Sequence, residues 1–219
     1  MKVIYFDTET TGLNCSDCQI IELAMITEVD GKIIDEYDKF IKVEGLLPQK
    51  ITEITGITDK MLNDYGVNEK SIAEDLKNRL TPGTLMIAHN CQFDLSFVFS
   101  LLERHYPDEV DGIVNNLDWL DTLTVFKDRA EYPHRLINAV KHYGIKEVNF
   151  HRAIDDTKAL YEVTKALKNE RDDLDEYINV FGYNPKYGVE GVILDDLIEY
   201  KKQYYNNFMV SPDNILPRK

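Results

Sequence analysis

Asp7 and Glu9 close a β-rich run, KVIYFDT at 2–8, and on extended chain an i, i+2 spacing points both carboxylates to one face. Two like charges held side by side require a cation. Gly12 permits a tight exit from the strand, while Thr10 and Thr11 offer hydroxyl and backbone N–H groups close to the same spot. Acidic pairs at strand ends are also common as merely solvated groups, so this pair alone settles nothing.

A second constellation, Ala88-His89-Asn90-Cys91-Gln92-Phe93-Asp94, falls where a strand gives way to a helix. Asp94 is expected in the first helical turn, where a carboxylate either complements the helix dipole or serves chemistry. Asn90 is placed as the N-cap, or as a hydrogen-bonding group for a sugar. A third, His151-Arg152-Ala153-Ile154-Asp155-Asp156, opens another helix. Asp155 and Asp156 are rotated about 100° from one another there, so only one of them can face a shared site.

The elements that must position these groups follow from periodicity. Strands are expected at 2–8, 19–29 and 32–43, with Asp30-Gly31 as a hairpin turn between the last two. Pro48 opens a helical stretch, Thr58 caps another, and 67–80 carries apolar residues at helical spacing. An apolar strand at 84–88 runs into an amphipathic helix at 91–106, followed by a short strand at 117–122 and helices at 134–143 and about 152–168. Beyond about residue 170 the chain becomes rich in tyrosine, glycine and proline, which divides it into a main domain at 1–168 and an appendage at 169–219. The 193–200 stretch fits a strand or a short helix.

Taken jointly and in order, FDTETTG at 6–12, AHNCQFD at 88–94 and HRAIDD at 151–156 resemble the three motifs of the DEDDh family, the 3′-to-5′ exonucleases similar to the proofreading epsilon subunit of bacterial DNA polymerase III. The linking segments ITEITGIT at 51–58, LDTL at 120–123 and HRLINAVKHYGI at 134–145 look familiar in the same way. The resemblance implies an α/β ribonuclease H-like fold, a mixed five-stranded sheet with three antiparallel strands and then parallel ones, flanked by helices. It makes Asp7, Glu9, Asp94 and Asp156 the metal-binding acids and His151 the general base. The H-x4-D spacing favours Asp156 over Asp155. It also places Thr10 and Gly12 near the terminal 3′-hydroxyl, Leu13 and Ile57 against the last base, and Asn90 and Phe93 near the sugar and penultimate nucleotide. Core packing is the competing role for Ile57 and Phe93, and Thr55 stands where many relatives have a histidine.

Four oxygen-donor acids suit hard cations, and two Mg²⁺ or Mn²⁺ ions are expected, able to bind the attacking and leaving oxygens of a phosphodiester. Imidazole, mostly neutral at pH 7, suits a base that takes a proton from the attacking water. The expected reaction is release of nucleoside monophosphates from DNA 3′ ends in proofreading or repair, with a polymerase subunit as a possible partner. An exoribonuclease similar to RNase T or oligoribonuclease is the alternative, since recognition of the 2′-hydroxyl is not written in these motifs. A non-catalytic nucleic-acid-binding module of the same fold is the other.

Composition bounds these readings. The 219 residues carry 25 Lys and Arg against 39 Asp and Glu, a net charge of -14, which excludes a protein that coats nucleic acid by charge alone. Three cysteines are too few for a stapled scaffold, and with no apolar run of membrane length a soluble, cytoplasmic protein is expected. Cys15-x-x-Cys18 lacks a second pair and reads as free thiols. Asp172-Asp173 with Asp175-Glu176 reads as a solvated face, and Asp121-Thr122 as a helix cap.

Overall fold

The computed structural model describes residues 1–146, 152–182, 197–201, 203–205 and 208–210 of the chain. Three consecutive strands, β1 (Lys2–Thr10), β2 (Ile20–Val29) and β3 (Lys32–Phe40), form an antiparallel meander. Asp30 and Gly31, both at positive φ (51° and 78°), make the tight β2–β3 turn that their types favour. Three short helices follow, α1 (Gln49–Thr55), α2 (Asp59–Tyr65) and α3 (Glu69–Arg79), then β4 (Leu85–Ala88) and α4 (Cys91–His105). The order continues with α5 (Val110–Val114), β5 (Asp118–Asp121), α6 (Thr122–Arg129), α7 (Leu136–His142) and α8 (Ala153–Glu170). Strands β1, β4 and β5 run parallel, so the sheet reads β3-β2-β1-β4-β5, the expected mixed five-stranded arrangement.

Alternation along β1 divides the core. Ile4 and Phe6 point to one face and pack with Leu23, Met25, Met86 and Trp119 under α3 and α4. Val3 and Tyr5 point to the other and pack with Ile26, Ile87 and Leu120 under α6, α7 and α8. Asp7 and Glu9 continue the second row, and Thr8 the first, so the acid pair emerges on the α8 side and Thr8 on the α4 side. None of the helices among the described residues is long and apolar enough to cross a membrane.

Several boundaries depart from the sequence reading for identifiable reasons. Strand β3 stops at Phe40 rather than 43, and Ile41, its N–H still bonded to the Ile21 carbonyl at 2.9 Å, forms an isolated bridge to Val67. Helix α7 begins at Leu136 rather than 134, with His134 held in the preceding loop by a bond from Nε2 to the Ala130 carbonyl. Asp173 is not a solvated acid. It is paired with Arg129, whose side chain is almost fully buried and also donates to the Leu167 carbonyl, so the two tie α6 to the end of α8.

Described parts of the segment beyond 168 pack on the sheet. A 3-10 turn, Leu174–Tyr177, leads to β6 (Val180–Gly182), which pairs in parallel with β7 (Glu199–Lys201) and brings Phe181 and Ile198 into the core on the α4 side. Residues 197–201 thus end in a strand, while 193–196 lie outside the described residues. A second small pair, β8 (Gln203–Tyr205) with β9 (Phe208–Val210), follows. Gln203 is buried and donates from Nε2 to the Thr124 carbonyl (2.8 Å) and Asp128 (2.9 Å).

Candidate active site

Three carboxylates converge at the C-terminal end of β1. Asp7, Glu9 and Asp156 each offer an oxygen within 4.8 Å of the others, although Asp156 lies nearly the whole motif span away in sequence. Asp7 and Glu9 arrive by strand alternation. Asp156 arrives from the first turn of α8, its N–H bonded to the Arg152 carbonyl at 3.0 Å.

Asp94 approaches from the opposite side of the sheet. It sits in the first turn of α4, 3% exposed, and its Oδ1 accepts from the Thr8 backbone N–H (3.1 Å) and hydroxyl (2.6 Å). Thr8 therefore holds Asp94 directly behind Asp7. The expected quartet is brought together as a tight trio with a fourth acid fastened to the residue between Asp7 and Glu9.

The electrostatics of this arrangement are strained without a cation. Burial, reinforced by the charges of Asp94, Asp156, Glu9 and Glu22, raises the Asp7 carboxyl well above its ordinary value. Glu9 is pushed up to about 8 by burial and then by Asp156, Glu22 and Asp94, with Arg152 opposing. Asp94 is pushed up to about 7 by burial, against the lowering effect of its Thr8 bonds. A group of carboxylates that neutral water would leave ionised, forced here to compete for charge, is a donor set that fits a hard divalent cation.

His151 lies outside the described residues, and Arg152, which follows it, is described. Arg152 serves as the N-cap residue of α8 without a side-chain cap bond, its guanidinium committed instead to Glu22 through Nε (2.9 Å) and Nη2 (2.7 Å). Glu22, buried on β2 directly opposite Glu9, also accepts from the Ala153 N–H at 3.0 Å. Sequence reasoning missed this residue. A lone acid inside the apolar run IIELAMI was the available signal, since an ionisable side chain in a buried strand needs a partner.

The other expected contacts divide. Leu13 is 60% exposed on the loop beyond β1 and free to meet a ligand. Ile57 has no exposed surface and packs with Ile21, Leu47 and Leu62, so core packing rather than base contact is its role in this geometry. Phe93 is half-buried, its ring 4.9 Å from that of Phe97 and packed against the core. Thr10 is buried, and its hydroxyl donates to the Gly12 carbonyl at 2.5 Å, which fixes the strand exit. Gly12 has a steric reason to be glycine: a Cβ there would stand 2.6 Å from Cys18 Sγ. Cys15, Cys18 and Cys91 are free thiols.

Asn90 corrects the capping expectation. It takes a left-handed conformation (φ 78°), and its side chain makes no cap bond. The start of α4 is held instead by Asp121, whose Oδ1 accepts from the Asn90 N–H (2.8 Å) and the Cys91 N–H (3.2 Å). The same oxygen caps α6 through the Leu123 N–H, and Oδ2 accepts from the Thr124 hydroxyl. One buried carboxylate thus joins the helix that carries Asp94 to the helix that follows β5. The cap expected at Asp121 is present, and it reaches further than its own helix.

Comparison with known proteins identifies the family and the fold. The RNase_T family model, described as exonuclease, matches residues 4–164. A DNA polymerase III PolC-type of Clostridium perfringens is 31% identical over 191 residues, covering 85% of this chain and 12% of that protein. The PolC-type polymerase of Staphylococcus haemolyticus is 34% identical over 158 residues, covering 71% and 10%. The chain therefore spans about a tenth of the length of these curated relatives. In fold it is similar to E. coli exonuclease I crystallised with a dT13 oligonucleotide, at a TM-score of 0.71 and 22% identity, over 80% of this chain and 43% of that one.

Proposed function

Because the chain belongs to the RNase_T exonuclease family, we propose that it is a metal-dependent 3′-to-5′ exonuclease that trims DNA 3′ ends one nucleoside monophosphate at a time, in proofreading or repair. The observation that carries this reading is the convergence of Asp7, Glu9 and Asp156 within 4.8 Å, with Asp94 hydrogen-bonded to Thr8 between the first two. Such a cluster has no structural purpose that an apolar or paired set would not serve better.

In this reading Asp7, Glu9, Asp94 and Asp156 hold two divalent cations, Mg²⁺ or Mn²⁺. When bound, these supply Lewis-acid stabilisation of the charge that develops on the phosphodiester oxygens. The chain supplies the rest. His151, one residue before the α8 cap, takes a proton from the attacking water as general base. Thr8 keeps Asp94 oriented, and the exposed Leu13 offers an apolar surface to the terminal base, a sequence-tolerant contact of the kind that trimming needs.

DNA is favoured over RNA because the similar proteins are DNA polymerases, and the fold neighbour was crystallised with a deoxyoligonucleotide. A polymerase is the natural partner by the same reasoning. The net charge of -14 adds a physical motive, since this surface has little to hold a long strand by phosphate contacts and a partner would present the 3′ end. Side-by-side digestion of 5′-labelled single-stranded DNA and RNA of one sequence in Mg²⁺ tests the substrate class. Faster shortening of DNA is expected, and shortening of RNA alone would replace this reading with the exoribonuclease one.

A further inference from the structure

Glu22 is the most deeply buried carboxylate beside the acid cluster, with no exposed surface, inside the apolar stretch Ile20–Ile26 of β2. It is engaged on both oxygens. Oε1 takes the two-pronged guanidinium of Arg152, and Oε2 takes the Ala153 N–H, a free donor of the first turn of α8. Arg152 is further held by the Phe40 ring, 4.9 Å from its guanidinium carbon, and by Asp38 at 3.8 Å. The start of α8 is thereby strapped to β2 and β3 at one point.

That point lies between two members of the cluster. Glu22 is the cross-strand partner of Glu9, and Arg152 stands one helical turn before Asp156, whose N–H bonds its carbonyl. A salt bridge in such a place is a poor way to gain stability, because a well-packed apolar pair commonly does as well or better. What the pair supplies is a fixed distance between a strand and a helix that each bring acids to one cation site. We propose that Glu22 is a positioning residue, which through Arg152 and Ala153 sets Asp156 at the spacing from Asp7 and Glu9 that a divalent cation requires. The inference rests on the metal-site reading given above.

The test is Mn²⁺ binding to the full chain, followed by electron paramagnetic resonance of the free ion, for wild type, Glu22→Gln, Arg152→Lys and Glu28→Gln. Glutamine keeps the shape of residue 22 but cannot accept on both arms, and lysine keeps the charge of residue 152 without its fork. Glu22→Gln is expected to bind Mn²⁺ about 10- to 100-fold more weakly, the range found when a group orienting a metal ligand is removed. Arg152→Lys should fall between it and wild type, and Glu28→Gln, far along the same strand, should match wild type. The Mn²⁺ concentration for half-maximal nucleotide release should rise in step, with turnover at saturating Mn²⁺ recovering to within a few-fold.

A purely structural salt bridge would instead lower the denaturation midpoint and leave the Mn²⁺ affinity of the folded protein unchanged, which overturns the proposal. If Glu22→Gln does not fold, Arg152→Lys decides in the same way. Unchanged Mn²⁺ affinity in an active nuclease rejects the role of Glu22 and keeps the exonuclease reading. Mn²⁺ binding that depends on both Asp7 and Glu22 in a protein releasing no nucleotide does the reverse.

Discussion

Replacing Glu9 by glutamine in the metal-free protein should make it more stable at neutral pH, and the structure gives the size. The Glu9 carboxyl rises from an ordinary 4.5 to about 8 in the fold, so between those values the folded chain holds a proton that the unfolded chain has lost. The stabilisation attached to that proton is complete below pH 4.5 and is lost as pH climbs through 8. One such proton corresponds to a slope of about 1.4 kcal/mol per pH unit, or roughly 3 kcal/mol between pH 5 and 7.5. For a urea dependence of about 2 kcal/mol/M that is a fall of about 1.5 M in the midpoint. Glu9→Gln removes this proton and relieves Asp7 of a neighbour, so the slope should shrink by at least one proton. Urea titrations in EDTA from pH 5 to 8 read it directly. The variant should match wild type near pH 4.5 and exceed it at pH 7.5, and excess Mg²⁺ should reverse the ranking by stabilising wild type alone. Equal slopes in EDTA, or a wild type more stable than the variant at pH 7.5, would refute the reasoning.

Asp121→Ala should cost about 2–4 kcal/mol in urea unfolding, because it strands the buried Cys91 N–H and Thr124 hydroxyl together with the part-buried N–H groups of Asn90 and Leu123. Gly12→Ala should lose up to about 1 kcal/mol, because the 2.6 Å approach makes the Cys18 Sγ turn aside, and Gly12→Ala with Cys18→Ala should regain most of it; an equal loss in both would place the cause elsewhere. His151→Ala should lower turnover by roughly 10² to 10⁴-fold with Mn²⁺ affinity nearly unchanged, and near-normal turnover would remove His151 from the base role.

Much of the sheet was legible because its signals are local. Alternation in KVIYFDT and the Asp30-Gly31 pair specify β1 and the β2–β3 turn within a few residues, and strand alternation alone puts Asp7 and Glu9 on one face. What the sequence hid is what depends on distant partners. Glu22 and Arg152 are separated by 130 residues, so neither shows its purpose to a local window. Asp121 was read as capping its own helix, and only the packing of β4 beside β5 reveals that it also holds the N–H groups of Asn90 and Cys91. Ile57 shows the same limit from the other side, an apolar residue for which sequence left base contact and core packing open and which the fold packs with Ile21, Leu47 and Leu62. Asp173 looked solvated because Arg129, its partner, lies in another helix.

The net charge of -14 speaks against coating nucleic acid by charge alone, and the site is consistent with that, since it asks for a single 3′ end rather than long tracks of phosphate contact. A cluster of buried acids crowded by one another's charge should bind cations and through them a single 3′ end. The most direct measurement is nucleotide release from a 3′-labelled single-stranded oligodeoxynucleotide, with and without Mg²⁺, by wild type and by Asp7→Asn shown to be folded. Release of labelled monophosphate by wild type only in Mg²⁺, and none above background by Asp7→Asn, is the expected result. Release that survives EDTA, or that Asp7→Asn retains, would contradict the account.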